Sequence, residues 1–384
     1  MHNTLLNKIK NYAGVKVYGI TSKVSEKRKQ KEIQAFNQEV SGIIAQYKYV
    51  HIIFNDKFCD PFIRFINEKF NTKEHAFLVF RTHEQFPFPK VENVIEIQSL
   101  FGIDFSASTI KTVVMHSLFI PEGVKYWNEH RSVQQQKVYW MMWGGDLYDA
   151  PRNEEEDAVR RNFKGYISDT DGDCEIVRQK YSLENKIYID AAYTFPITMQ
   201  MVDEAIRCKK EHDYIQIQIN NSADATTIEM LETLGKYADQ NIKVVTVLSY
   251  GHLQYKDQII ETGKRIFGSK FEYLDQYLIP GEYAKWLAGN DLYILNQHRQ
   301  EGLGNSFASL AEGAKLFIRS TVTTYHHFNN KDIKVFDTLD IKNMSFEELI
   351  EYGNTLKEKN MKNVRFFFDN EYLKEKWEKV FMGE

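Results

Sequence analysis

From Tyr49 onward the chain alternates short β-branched or aromatic runs with longer amphipathic segments of helical spacing. Tyr49–Phe54 (YVHIIF), Ala76–Phe80, Thr112–His116 and Lys137–Trp143 read as buried strands, followed by Gly165–Ser168 and Lys186–Ile189. Helices fall at Pro61–Phe70, near Pro121–His130 and from Asp173. After Thr194-Phe195-Pro196 the alternation restarts with strands at Tyr214–Ile219, Lys243–Leu248, Phe271–Leu274, Leu292–Leu295 and Leu316–Ile318. Helices at Ala223–Ala238, Gln254–Phe267, Gly281–Ala288 and Asn305–Gly313 separate them. Repeated βα units of this length predict parallel sheets covered by helices on both faces. The expected organisation is a basic extension over 1–45, a first Rossmann-like domain over 46–194 and a second over 195–365. A C-terminal helix at 366–384, amphipathic over Asn370–Phe381, is compatible with docking on either domain. In doubly wound sheets ligands sit beyond the carboxyl ends of the strands, so two such domains predict one shared cleft.

Composition narrows the class. The net charge of −4 over 384 residues excludes a protein held to nucleic acid by bulk charge. Three cysteines, Cys59, Cys174 and Cys208, form no CxxC pair, which argues against a disulfide framework or zinc ribbon and for a reducing, cytoplasmic setting. No apolar run approaches membrane-spanning length, and no signal-peptide core follows Met1. With 26 Phe, 22 Tyr and 5 Trp, aromatic side chains exceed what a core of this size uses, and the surplus points to clefts or a partner surface. Residues 1–31 carry Lys8, Lys10, Lys16, Lys23, Lys27, Arg28, Lys29 and Lys31 against Glu26 alone. Thr4–Tyr12 has near-helical apolar spacing. Such a stretch suits either an anionic membrane surface or a solvated helix packed on its own domain.

Candidate chemistry collects at predicted strand ends. After Leu295 comes a polar turn with Arg299 and Glu301, then Gly302 and Gly304 before a helix beginning near Asn305 and Ser306. Glycines admit a ligand close to the backbone, and a helix N-terminus offers free amides suited to a diphosphate. Arg299 adds a bidentate cation, and Glu301 can accept hydrogen bonds from sugar hydroxyls. Asn221 and Ser222 follow the first strand of the same domain, where Ser222 or Asp224 can equally cap the next helix. Tyr250 closes the following strand. In the first domain Trp143-Gly144-Gly145-Asp146-Leu147-Tyr148 forms an open turn expected to aim Asp146 into the cleft. His116 ends the neighbouring strand. Carboxylate and imidazole at adjacent strand ends are candidates for orienting or deprotonating an acceptor hydroxyl. The segment Asp169-Thr170-Asp171-Gly172-Asp173 imitates a D-x-D metal motif, but its spacing fails as a calcium loop, and Asp173 is expected to cap a helix. No P-loop, GxSxG, HExxH or zinc spacing occurs, so neither metal nor cofactor is expected.

These blocks resemble the bacterial TDP-N-acetylfucosamine:lipid II N-acetylfucosaminyltransferases, glycosyltransferase family 56. Trp143-Gly144-Gly145-Asp146-Leu147-Tyr148 resembles the family's WG-x-DLY block, and Asn221-Ser222-x-Asp224 its NS-x-D turn. Arg299-Gln300-Glu301-Gly302-Leu303-Gly304 is similar to its RQ-x-G-x-G turn, and His116 followed by Phe119 to a strand-end histidine before a phenylalanine. The likeness spans roughly 49–384. Residues 1–45 have no counterpart in it, and Glu301 stands where the family can have glutamine. Against the E-x7-E pair of the broader retaining transferases, the second position is Ser309, with Glu312 three residues later.

The resemblance implies an α/β fold of GT-B type. It implies metal-independent, configuration-retaining transfer of a deoxy-amino sugar from a TDP-sugar to an undecaprenyl-diphosphate-linked saccharide at the inner membrane face. Arg299, Gly302, Gly304, Asn305 and Ser306 would hold the diphosphate, with Asn221, Ser222 and Tyr250 completing the donor site. Trp143, Gly144, Gly145 and Tyr148 would form the acceptor side, with Asp146, His116 and Glu301 as catalytic candidates. Two other readings stay open from the residues alone: a GT-B enzyme with another donor and acceptor, and a non-catalytic two-lobed sugar or nucleotide binder.

Overall fold

The computed structural model describes residues 23–120, 122–148, 153–249 and 251–383. Among them two parallel sheets account for the strand pattern. The first comprises β1 (Tyr49–Phe54), β2 (His75–Phe80), β3 (Val94–Ile97), β4 (Thr112–His116), β5 (Val138–Met141), β6 (Gly165–Ser168) and β7 (Ile187–Asp190), in the order β3-β2-β1-β4-β5-β6-β7. The second comprises β8 (Ile215–Ile219), β9 (Ile242–Val247), β10 (Phe271–Leu274), β11 (Leu292–Leu295), β12 (Lys315–Ile318) and β13 (Phe336–Asp337), ordered β10-β9-β8-β11-β12-β13. Both orders reverse direction beside the first strand, between β1 and β4 and between β8 and β11. Those two crevices are where this topology receives ligands.

Alternation along each strand supplies both faces of each sheet. Val50 and Ile52 of β1 enter one core with Trp127, Trp140 and Tyr166, while Ile53 enters another with Phe62, Phe77 and Trp377. Two further cores flank the second sheet, one around Phe307 and Leu316, the other around Ile217 and Ile294. The C-terminal helix Asn370–Met382 docks on the first sheet, burying Leu373, Trp377, Val380 and Phe381 there. The chain thus crosses back to the domain in which it began.

The helix Lys23–Ile44 qualifies the reading of a basic extension. Its C-terminal half is part of the first domain: Val40 and Ile44 are fully buried in the core, and the Asn37 amide donates to the carbonyls of Ser99 (3.0 Å) and Phe101 (2.8 Å). Thr4–Tyr12 lies outside the described residues. Sequence periodicity also passed over strand β3 and the helices Glu154–Arg161, Met199–Cys208 and Thr323–Asn330. Among the described residues no helix is long and apolar enough to cross a membrane.

Candidate active site

Turns beyond the strand ends of the two sheets meet. The Leu303–Ala311 helix begins on Gly302, which holds φ = 71° in the left-handed region and provides no side-chain cap. Its position is fixed by a neighbour from the other strand end, because a Cβ at Gly302 would lie 2.4 Å from Asn221 Nδ2. Asn221 is itself held by Tyr293 Oη (3.3 Å) and Gln297 Nε2 (3.4 Å), both donating to its Oδ1. Ser306 is fully buried, its hydroxyl donating to Gly302 O (3.0 Å), and Asn305 Nδ2 donates to Tyr283 Oη (3.1 Å). The first turn of the helix therefore carries amides without a side-chain cap at the edge of the cleft, an arrangement that favours an anion.

Across the cleft Gly144 (φ = 78°) packs directly on this loop. A Cβ there would sit 2.7 Å from Gln300 Oε1 and 2.9 Å from Gln300 O. Arg299 lies within the same junction, its Nη1 donating to Gln300 O (3.3 Å) and its Nη2 pairing with Glu301 at 3.4 Å. Arg299 and Glu301 line a small cavity together with Leu295, Gln297, Ile318, Val322 and Thr324. Turns from two domains, more than 150 residues apart in sequence, thus bring together a guanidinium, a carboxylate and a helix N-terminus that has no side-chain cap.

The family model described as "4-alpha-L-fucosyltransferase glycosyl transferase group 56" matches residues 110–383. The chain belongs to glycosyltransferase family 56. The match begins at β4, so the first three strands precede it. No curated protein sequence matches the chain. Among solved structures it is similar to a UDP-forming α,α-trehalose-phosphate synthase from Burkholderia vietnamiensis, with 8% identity, a TM-score of 0.62, and coverage of 88% of this chain and 100% of that one. Sucrose-phosphate synthase from Thermosynechococcus elongatus gives 11% identity and a TM-score of 0.63, covering 88% and 98%. A glycosyltransferase from Rickettsia africae gives 11% and 0.58, with the same coverage. These likenesses establish the GT-B fold, and with the family they make the protein a glycosyltransferase.

In this family-56 chain the first-domain candidates are placed differently from expectation. Asp146 does not face the cleft. It is 1% exposed, and its carboxylate accepts from Leu118 N (2.9 Å), Trp140 Nε1 (2.7 Å) and Trp143 N (2.8 Å), which shapes the Trp143–Tyr148 turn from beneath. Burial pushes its carboxyl upward, and these donors oppose the shift. His116 does not stand beside it. It is fully buried in a chain of imidazoles: His75 Nδ1 to His51 Nε2 (3.3 Å), His51 Nδ1 to His116 Nε2 (3.0 Å), then His116 Nδ1 to Tyr193 Oη. Trp143 Nε1 donates to the same tyrosine oxygen at 3.0 Å. With that donor fixed, the proton direction that also gives the Tyr193 hydroxyl an acceptor runs from Tyr193 to His116, from His116 to His51, and from His51 to His75. Desolvation holds His75 and His116 at about 3, so all remain neutral near neutral pH.

Gly145 begins the short helix Gly145–Tyr148, and Tyr148 Oη donates to Asp173 (2.6 Å). Asp224, rather than Ser222, caps the Ala225–Leu234 helix, accepting from Thr226 N (2.9 Å) and Thr227 N (3.1 Å). Ser222 is buried beside it. Gly304 packs against the Phe195 ring. Tyr250 lies outside the described residues. Asp173 is not a cap, since Thr170 holds that place and accepts from Asp173 N (3.4 Å). Glu312 follows the C-terminal end of the Leu303–Ala311 helix, where both its carboxylate oxygens are buried without a hydrogen-bond partner.

Two residues escaped the sequence reading. Asp56 and Lys57 follow β1 at the first crevice; Lys57 interacts electrostatically with Glu301 of the second domain, and burial raises the Asp56 carboxyl to about 7. Their position directly after a strand at the switch point was the available signal. Among the described residues no group of three or more His, Cys, Asp or Glu is arranged to hold a metal ion.

Proposed function

We propose that this glycosyltransferase moves a deoxy-amino sugar of the N-acetylfucosamine kind from a TDP-sugar to an undecaprenyl-diphosphate-linked saccharide, in bacterial surface polysaccharide synthesis. The observation that carries the reading is the junction of Gly144 with Gln300 and of Gly302 with Asn221, which puts three strand-end turns, Arg299 and uncapped amides on one cleft surface. The diphosphate lies on the amides of Gly302–Ser306 with Arg299 exchanging Glu301 for phosphate oxygens, and Asn221, Ser222 and Tyr250 shape the nucleotide side. Charge developing on the departing TDP is met by the guanidinium and helix amides without a metal.

The acceptor saccharide lies on the Trp143–Tyr148 turn. Its hydroxyl attacks from the face that TDP leaves, retaining configuration, and its proton passes to the leaving phosphate. Glu301 accepts hydrogen bonds from sugar hydroxyls, and Asp146 and His116 act by holding the turn in place. Catalysis then rests on orientation and charge stabilisation. The basic residues of 1–31 hold the enzyme on the anionic inner face of the membrane, where a lipid-linked acceptor resides. Transfer of radiolabelled sugar from TDP-, UDP- and GDP-linked donors to an undecaprenyl-diphosphate disaccharide, with EDTA present, tests this. Product from TDP donors alone supports the reading. Product from another nucleotide discards the TDP assignment, and dependence on added metal discards the charge argument.

A further inference from the structure

The acidic segment 169–173, which imitates a metal motif, spends its carboxylates on protein contacts. Asp169 Oδ1 accepts from Tyr193 N at 3.2 Å, in the passage between the domains. Asp171 Oδ1 faces His327 Nδ1 of the second domain at 3.4 Å. Asp173, 1% exposed, accepts on one oxygen from two hydroxyls, Tyr148 Oη of the first domain and Thr323 Oγ1 of the second, each at 2.6 Å. Ser168 Oγ donates to its other oxygen at 3.3 Å. Beside this bond the helices Asp171–Tyr181 and Thr323–Asn330 touch: a Cβ at Gly172 would lie 2.8 Å from Thr323 Cβ and Cγ2.

The contact has consequences at both faces of the cleft. Tyr148 ends the turn that begins at Trp143 and packs on Gln300. Thr323 stands between Val322 and Thr324, which line the cavity below Arg299 and Glu301. One buried carboxylate therefore grips the end of the first-domain turn and the floor of the second-domain loop. We infer that segment 169–173 is an interdomain clasp, in which Asp173 is a positioning residue that holds the Trp143–Tyr148 turn in register with the Arg299–Gly302 loop. Two short hydrogen bonds meet on one buried carboxyl oxygen, where each is costly to leave unmade, and they tie together two domains whose default is relative motion.

Thr323→Val removes the second-domain donor and keeps the side-chain shape, whereas Thr323→Ser keeps the hydroxyl. Hydrogen exchange of the full chain without ligand compares them. The valine variant is expected to exchange about tenfold faster in both 145–148 and 323–328, with the serine variant like wild type. Gly172→Ala, a wedge at the same contact, is expected to act like valine and to enlarge the radius of gyration in solution scattering. Unchanged exchange in the valine variant, or equal acceleration in the serine variant, overturns the clasp. Because no nucleotide enters the measurement, failure of the TDP assignment would leave this result standing.

Discussion

Gly144 of the first domain and Gln300 of the second are in contact, with room for a hydrogen atom and not for a methyl group between them. Gly144→Ala would place a carbon 2.9 Å from a backbone oxygen in a residue that already holds φ = 78°. The left-handed backbone alone costs about 1–2 kcal/mol for an L side chain, and the backbone oxygen cannot rotate away. We expect a loss of stability of that order by denaturant unfolding. Sugar transfer should fall by at least about tenfold, because misplacement of reacting groups by an ångström costs more than binding.

Asp146→Asn separates a positioning role from direct chemistry. The amide nitrogen would confront at least one of the three donors now satisfied by the carboxylate. Destabilisation of about 2–4 kcal/mol is expected, with loss of activity to match. A variant inactive yet as stable as wild type would instead make Asp146 a group that meets the substrate.

Much of the architecture was legible because buried parallel strands are short apolar runs: β1, β4, β10 and β11 lie where periodicity put them. The candidate turns were legible because glycine and polar residues cluster after strands. Pairing was not. His116 meets a tyrosine 77 residues onward and Asp173 a threonine 150 residues onward, and no local pattern encodes either. The Thr323–Asn330 helix (TTYHHFNN) shows weak helical preference and is held by its tertiary contacts, so the second half of the clasp was invisible in sequence. Asp146 misled for a physical reason: a carboxylate beside glycines serves an open turn as well by capping it from inside as by pointing outward.

The histidine chain predicts acid sensitivity. His116 and His75 sit at about 3 when folded against 6.5 ordinarily, so the unfolded chain takes up protons first. Their contribution is complete above about pH 6.5 and is lost as pH falls toward 3. His116→Phe leaves His51 Nδ1 and the Tyr193 hydroxyl each short of one hydrogen-bond partner and should cost about 2–4 kcal/mol at pH 7.5. The difference from wild type should narrow steadily below pH 6.5, which chemical denaturation at several pH values would show.

Glu312 works in the opposite direction. Its two carboxylate oxygens are buried without a hydrogen-bond partner, and burial pushes the carboxyl up to about 9 from 4.5. The folded state keeps a proton that the unfolded state releases, so this residue costs stability increasingly as pH rises from 4.5 toward 9. Glu312→Gln should stabilise the protein by on the order of 2 kcal/mol at pH 8 and little at pH 4.5. A gain independent of pH would contradict the assignment of a neutral buried carboxyl.

The proposed function requires the Arg299–Ser306 turn to receive the diphosphate of a TDP-linked donor. The decisive measurement is calorimetric titration of the full chain with TDP, UDP and GDP, with and without EDTA, repeated with Arg299→Ala. We expect preferential TDP binding, unaffected by EDTA and weakened at least about tenfold in the variant, as loss of a charge-assisted bidentate contact requires. Equal binding of TDP by wild type and variant would contradict it, as would binding of none of the three nucleotides.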